Sequence, residues 1–344
     1  MGLTSKCEDL RNNALESKDK KLKVLFVSSS GKVFKQIPFI TSQYESLRPH
    51  LERLENYRVM GSGLGAYLRA YWELKRKLTL EDYDIIHAHW VYSGVLCALL
   101  AKKEKLIVSF MGNDLQGFYF GKFRLPTPKG ILNIFLSQLL MFKTHGVIVK
   151  SRRMLNWVPF WHRGKTRIIP NGVSLTKFVT IEQEAARDFL GLDKKCKYVL
   201  FLGDKTDSNK GFSLISRASN LQMNAIPHTL LAPYPVNSEY VPFYLAAADV
   251  LAFPSKIEGS PNIIKEAIAM KCPIVATDVG DVRERIGNIK GCFVCKKNVR
   301  DFSENLKAAL EFNIRIDPNG QLEKISDSYI SRRIVEFYSA VINR

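Results

Sequence analysis

The chain has 344 residues, 46% of them hydrophobic, which is enough for two domains with ordinary cores. No run of about 18 apolar residues occurs, so the sequence excludes a transmembrane helix. The net charge is +18, from 51 basic and 33 acidic residues spread along the chain. Such a charge favours polyanions, and because no nucleic-acid-binding motif accompanies it, we expect an anionic inner membrane surface as a partner and no nucleic acid.

Residues 1–21 are polar and of mixed charge, which predicts an N-terminal extension without the apolar core of a signal peptide. The six cysteines are scattered, and Cys292 and Cys295 form a lone C-x-x-C with no second pair. We therefore expect reduced cysteines, no metal site, no cofactor, and a cytoplasmic protein that lies peripherally on the inner face of the membrane.

In the first half, strand-like apolar runs alternate with helical patterns. The predicted strands are 23–29, 57–60, 84–89, 106–110 and 146–149. The predicted helices are 38–54, a segment ending at Lys77, 91–103 and 131–142. Residues 117–126 interleave aromatic with basic side chains, which suits either a lipid interface or an ordinary packed loop.

The second half repeats the pattern. Its predicted strands are 197–202, 229–232, 250–253 and 274–277, and its predicted helices are 301–313 and an amphipathic 327–342. The alternation predicts an α/β protein with two Rossmann-like domains that face each other across a cleft. In such sheets, ligands bind at the carboxyl ends of the strands.

The most informative segment runs from Glu258 to Glu266, where a loop after a buried strand opens into a helix. Ser260 is predicted as the N-cap and Pro261 as the first helical residue. The positive end of this helix suits a phosphate, and Glu266 lies roughly 7 Å further along the axis, where a ribose would reach it. With Glu258 on the other side of the phosphate, the spacing indicates a clamp for a nucleotide-diphosphate sugar. The alternative is a pair of solvated surface glutamates.

Seven elements in a fixed order make this chain resemble the family-four glycosyltransferases, retaining enzymes with the two-Rossmann GT-B fold. They are His87–His89, Ser109–Asp114, Ile169–Val173, Lys210–Gly211, Ala248–Asp249, Pro254–Ser255 and the E-x7-E frame of Glu258 and Glu266, followed by 273–280. The resemblance covers about residues 23–340. It implies an acceptor domain at 22–170, a nucleotide-sugar domain at 171–326, and a C-terminal helix, 327–344, that packs back toward the N-terminal domain.

The resemblance also implies a role for each matching residue. Glu258, toward the transferred sugar, and Lys210, toward the diphosphate, would be catalytic, and Glu266 would accept hydrogen bonds from the ribose. Further donor-binding residues would be Ser260, Pro261, Asn262, Ile263, Gly31 and Lys205. His89 and Asp114 would position the acceptor or the sugar, although a structural role for His89 is an equal alternative, and His87 is expected to point away.

Two residues depart from the family pattern. Asp204 replaces a phosphate-binding arginine, a loss for which Lys205 is a candidate replacement, and Met111 replaces a histidine that contacts the sugar. We expect a retaining glycosyltransferase of the hexosyltransferase type, which moves a sugar from a nucleotide-diphosphate donor to a glycan or lipid-linked acceptor in surface polysaccharide or glycolipid synthesis. The alternatives are a nucleotide-sugar epimerase of the same fold and a non-catalytic protein that binds nucleotide sugars or membranes.

Overall fold

The computed structural model describes residues 21–29, 37–117, 119–120 and 125–344, with the backbone alone for 119–120 and 125–126. Gly31 and residues 1–20 of the predicted extension lie outside the described residues.

The N-terminal domain is built on a parallel sheet with the strand order β2-β1-β3-β4-β7-β8. Its strands are β1 Lys23–Ser29, β2 Arg53–Val59, β3 Ile85–His89, β4 Lys105–Ser109, β7 Gly146–Val149 and β8 Thr166–Ile168, and a hairpin is formed by β5 Tyr119–Phe120 and β6 Leu125–Pro126. The helices are α1 Pro38–Leu47, α2 Leu64–Leu80, α3 Val91–Leu100, α4 Asn113–Gln116, α5 Pro128–Lys143 and α6 Arg152–Leu155, with 3₁₀ turns at Arg48–His50 and Phe160–Lys165.

A second parallel sheet, with the order β10-β9-β11-β12-β13, forms the C-terminal domain. Its strands are β9 Tyr198–Leu200, β10 Thr229–Leu231, β11 Val250–Phe253, β12 Ile274–Thr277 and β13 Cys292–Cys295. The helices are α7 Gln183–Leu190, α8 Phe212–Gln222, α9 Val241–Ala247, α10 Asn262–Ala269, α11 Val282–Ile286, α12 Val299–Phe312 and α13 Gln321–Ile325. The predicted fold class, two Rossmann-like α/β domains, is confirmed.

The last helix, α14 Asp327–Ile342, returns to the N-terminal domain. Its apolar face joins the core formed by β1 and α1, where Phe337 and Tyr338 are buried beside Phe26. The Tyr338 hydroxyl lies 2.6 Å from Nδ1 of His87 in the middle of β3. The chain therefore crosses between the domains twice, and its C-terminus completes the core of the N-terminal domain.

The predicted helix 38–54 is wrong in its second half. The α-helix ends at Leu47, and β2 begins at Arg53, four residues before the predicted strand. Pro49 has no N–H with which to continue an α-helix. The charged residues at the start of β2 do not give the apolar pattern of a strand. They are tolerated there because β2 lies at the sheet edge, where Arg53 pairs with Glu55.

None of the helices in the part of the chain that the structure describes is long and apolar enough to cross a bilayer.

Candidate active site

Loops from the two domains meet at a glycine contact. A Cβ atom on Gly259 would lie 2.6 Å from the carbonyl oxygen of Met111, and one on Gly280 would lie 2.5 Å from the carbonyl oxygen of Gly259. Such separations exclude any larger residue, so the Glu258 loop is held between the Met111 loop and the Gly280 turn. Nearby, the Arg153 guanidinium of the N-terminal domain donates to the backbone carbonyl of Asp278 at 2.7 Å.

The two residues predicted to be catalytic are in direct contact. Lys210 Nζ donates to Oε1 of Glu258 at 2.8 Å, and the Glu258 side chain is only 19% exposed. Glu258 also lines a cavity of about 420 Å³ between the domains. The opposite wall of this cavity consists of N-terminal residues that include Trp90, Met111 and Asp114. An acidic and a basic group thus lie together at the edge of a cavity large enough for a sugar.

The helix after this loop starts one residue later than predicted. Pro261 is the N-cap, helix α10 begins at Asn262, and no side chain caps the helix. The Ser260 hydroxyl is used elsewhere, because it donates to Asp281 at 2.9 Å. The first N–H groups of α10 are therefore not occupied by a cap, which leaves them available to an anion.

Glu266 lies in a second, smaller cavity of about 190 Å³ between the domains. Phe39 and Ser42 of α1 form one wall, and Lys177 and Asn262 lie on the other side with Glu266. Burial raises the pKa of the Glu266 carboxyl to about 7, although Lys265 and Lys177 act to lower it. This carboxyl is a partly desolvated hydrogen-bond acceptor, which is the chemistry that a ribose diol requires.

Two other predicted donor-binding residues line neither of these cavities. Ile263 is half-buried in the first turn of α10 and packs against the core of the C-terminal domain. Lys205 is exposed, with its amine 5.4 Å from the centre of the Phe212 ring. Beside it, Asp204 accepts hydrogen bonds from the backbone N–H and the hydroxyl of Thr206, at 2.8 and 2.6 Å.

Asp114 organises the loop that faces Gly259. Its carboxylate accepts the backbone N–H groups of Met111, Gly112 and Leu115 at distances between 2.8 and 3.1 Å. Burial raises its pKa to about 6, and these hydrogen bonds oppose the rise. Asp114 also lines the 420 Å³ cavity, so it both shapes the loop facing Gly259 and reaches the cavity.

The prediction that His87 points away from His89 is wrong. Residues i and i+2 of a strand share a face, and the two imidazole rings stack with their centres 4.4 Å apart. His89 is fully buried and makes no well-formed hydrogen bond within the described residues, and burial lowers its pKa to about 3. It lines neither cavity, so it can act on a ligand only through its neighbours.

Sequence reasoning missed two buried lysines beside the site. Lys265 donates to the Ser260 hydroxyl at 3.1 Å and to the carbonyl of Asn171 in the interdomain connection at 2.8 Å. Lys150 follows β7 and is 2% exposed, and burial lowers its pKa to about 7 while Lys265 repels it. The available signal for Lys265 was its position on the apolar side of α10, between Ile264 and Ala267.

No cluster of three or more His, Cys, Asp or Glu side chains suited to a metal ion occurs in the described ranges.

Two family models match the chain, one on each domain. The model of Glycosyltransferase Family 4 matches residues 26–177, and that of Glycosyl transferases group 1 matches residues 197–311. A protein assigned to teichuronic acid biosynthesis, glycosyltransferase TuaC of Bacillus subtilis, is 22% identical over 242 residues, 64% of this chain and 60% of that protein. The D-inositol 3-phosphate glycosyltransferase of Mycolicibacterium gilvum is 25% identical over 231 residues, 58% of this chain and 52% of that protein. The matched stretches thus span between half and two thirds of these relatives.

Solved structures share the architecture along almost the whole length. The sucrose-phosphate synthase of Thermosynechococcus elongatus superposes with a TM-score of 0.68 at 15% identity, over 94% of this chain and 97% of that one. HepE of Anabaena, in complex with UDP-glucose, gives 0.67 at 15% identity, over 93% and 100%. With both domains matched by family models and the fold shared throughout, the chain belongs to the family-four type of glycosyltransferases with the GT-B fold.

Proposed function

We propose that the protein transfers a sugar, with retention of configuration, from a nucleotide-diphosphate sugar to a glycan or lipid-linked acceptor at the cytoplasmic face of the membrane. The observation that carries the proposal is the uncapped start of α10, with the Lys210–Glu258 pair before it and the partly desolvated Glu266 within it. A hexose is the proposed transferred unit, and surface polysaccharide or glycolipid is the proposed product.

The donor would bind along this segment. Its ribose hydroxyls would donate to Glu266, and its diphosphate would face the N–H groups of Asn262 and Ile263. As the bond to the sugar breaks, negative charge grows on the diphosphate, and the dipole of α10 together with Lys210 stabilises that charge. Glu258 would hold a hydroxyl of the departing sugar, and no residue is assigned as a nucleophile.

The 420 Å³ cavity is the proposed binding place of the sugar and the acceptor. It separates Glu258 from the Met111–Asp114 loop of the N-terminal domain, so groups from both domains reach a molecule inside it. Relatives are consistent with this assignment, because HepE is described in complex with UDP-glucose, and TuaC is named for teichuronic acid biosynthesis.

Donor hydrolysis in the absence of an acceptor tests the proposal. A panel of nucleotide sugars is first screened by thermal shift, and release of nucleoside diphosphate from the best binder is then measured. Lys210→Ala and Glu266→Ala are expected to weaken donor binding by about 10- to 100-fold each, as for hydrogen bonds to charged groups. The exposed Lys290 and Glu311 supply matched controls as alanine variants.

Each alternative function predicts a different result. Interconversion of the nucleotide sugar without release of nucleoside diphosphate would identify an epimerase. Tight binding with neither reaction would identify a non-catalytic binder. Donor binding that is unchanged in both site variants would remove the segment from the donor site and refute the proposal.

A further inference from the structure

The N-terminal domain carries an apolar groove that the transfer reaction described above does not use. It has a volume of about 730 Å³ and lies between α2, α3 and the start of α5. Its walls are aliphatic and aromatic: Leu64, Tyr67, Leu68, Tyr71, Leu96 and Leu99. A groove of this size and composition is typical of a binding site for an apolar ligand.

The groove opens into the candidate active site. Ser29, Tyr92 and Lys129 line both the groove and the 420 Å³ cavity that holds Glu258. A molecule in the groove can therefore extend one end to the place where the sugar would be transferred. This continuity favours an elongated occupant, apolar along most of its length and polar at the reacting end.

Charge and exposure around the groove fit a lipid. Leu64, Leu68 and Trp72 are spaced four residues apart on α2 and are 76%, 55% and 64% exposed. The same helix carries the exposed basic residues Lys75 and Arg76 one turn further on. An apolar stripe beside basic side chains is the pattern of a helix that contacts an anionic membrane surface.

We propose that this groove holds the hydrocarbon chain of a lipid-linked acceptor, whose phosphorylated head reaches the 420 Å³ cavity. The lysine at the junction, Lys129, suits the phosphate of such a lipid. The inference rests on the proposed function and narrows it, because it selects the lipid-linked acceptor over a free glycan. The chain enters from the membrane along the exposed leucines of α2.

Farnesyl phosphate and dimethylallyl phosphate, with 15 and 5 carbons, test the groove by isothermal titration below micelle-forming concentrations. Each buried methylene tightens binding by about fourfold, so the longer probe is expected to bind at least about a hundredfold more tightly. Leu68→Glu is expected to remove most of this advantage by placing a charge in the groove. Leu221→Glu, a change at a leucine that is 63% exposed on α8 of the other domain, is the matched control.

Leu99→Glu is a second groove variant if Leu68→Glu does not fold. Equal binding of the two probes, or farnesyl phosphate binding that neither groove variant weakens, would overturn the proposal. A wild-type dimer in sedimentation velocity that Leu68→Glu separates into monomers would also overturn it, because the groove would then face a second copy of the chain.

Donor hydrolysis separates this proposal from the proposed function. Leu68 lines neither of the two interdomain cavities that contain Glu258 and Glu266, so its variant is expected to release nucleoside diphosphate at the wild-type rate. Normal donor hydrolysis, with equal binding of the two lipid phosphates, would refute the groove proposal and leave the proposed function standing. Tighter binding of farnesyl phosphate, with no donor hydrolysis by the wild type, would refute the proposed function and leave the groove as a lipid site.

Discussion

Glu266→Gln is expected to stabilise the free protein while it damages the donor site. The carboxyl has an ordinary pKa of 4.5, which burial in the interdomain cavity raises to about 7. The folded state therefore keeps a proton between these pH values that the unfolded state releases, and stability falls as the pH rises through this interval. At about 1.4 kcal/mol per pH unit, the penalty reaches roughly 3 kcal/mol above pH 7, and glutamine, which carries no charge, avoids it.

Urea unfolding followed by far-UV circular dichroism at pH 4.5 and pH 8 measures this effect. The variant is expected to match the wild type at the lower pH and to exceed it by about 2–3 kcal/mol at the higher pH. Glu336→Gln, at an exposed position on α14, is the control and is expected to show no such pH dependence. Donor affinity is expected to change in the opposite direction, with a loss of about 1.5–3 kcal/mol, because an amide accepts hydrogen bonds from the ribose more weakly than a carboxylate.

Two results would refute this reasoning about Glu266. A stability difference that does not change with pH would mean that the carboxyl is solvated in the folded protein. An unchanged donor affinity would mean that the ribose binds elsewhere, even if the carboxyl is buried.

Three further predictions concern the ion pair, the core and the membrane. Glu258→Gln frees Lys210 from its partner, so nucleoside diphosphate binding by calorimetry is expected to be equal or tighter while sugar release slows by about tenfold or more; weaker diphosphate binding would contradict this. Tyr338→Phe leaves Nδ1 of His87 without its buried partner and is expected to cost about 1–3 kcal/mol of unfolding free energy in urea; a neutral result would show that the pair contributes nothing. Co-sedimentation with anionic vesicles is expected to decrease as salt is added, and binding that ignores ionic strength would refute an electrostatic attachment.

Local patterns were sufficient for the central strands of both sheets and for the segment that carries the proposed chemistry. Continuous apolar runs such as 146–149 and 250–253 are buried on both faces of their strands, so they could be recognised without knowledge of their partners. The spacing of Glu258 and Glu266 is also local, since one loop and the first turns of one helix fix it. What the sequence could not give was the division of these two carboxyls between separate interdomain cavities.

The errors arose where a distant residue decides the outcome. Serine is a residue type favoured at N-caps, but the Ser260 hydroxyl donates to Asp281 and accepts from Lys265. Because that competition depends on the fold, propensity alone placed the helix start one residue too early. The first four residues of β2 were missed for a related reason, since the charged residues among them are tolerated at a sheet edge.

In the proposed donor site, the departure at Asp204 changes which basic side chain would contact the diphosphate. In the family pattern an arginine stands there, whereas Asp204 accepts hydrogen bonds from Thr206 within its own turn, and these bonds lower its pKa. The same loop ends at Lys210, whose amine donates to Glu258, the first glutamate of the E-x7-E frame. In the free protein Glu258 pairs with Lys210, so in the proposed site an incoming diphosphate would compete with this carboxylate for the lysine. Part of the binding energy of the donor would then separate Lys210 from Glu258, and the released Glu258 would face the proposed sugar position in the 420 Å³ cavity. We therefore expect that, without the arginine, docking of the diphosphate and release of Glu258 from Lys210 occur together in the proposed site.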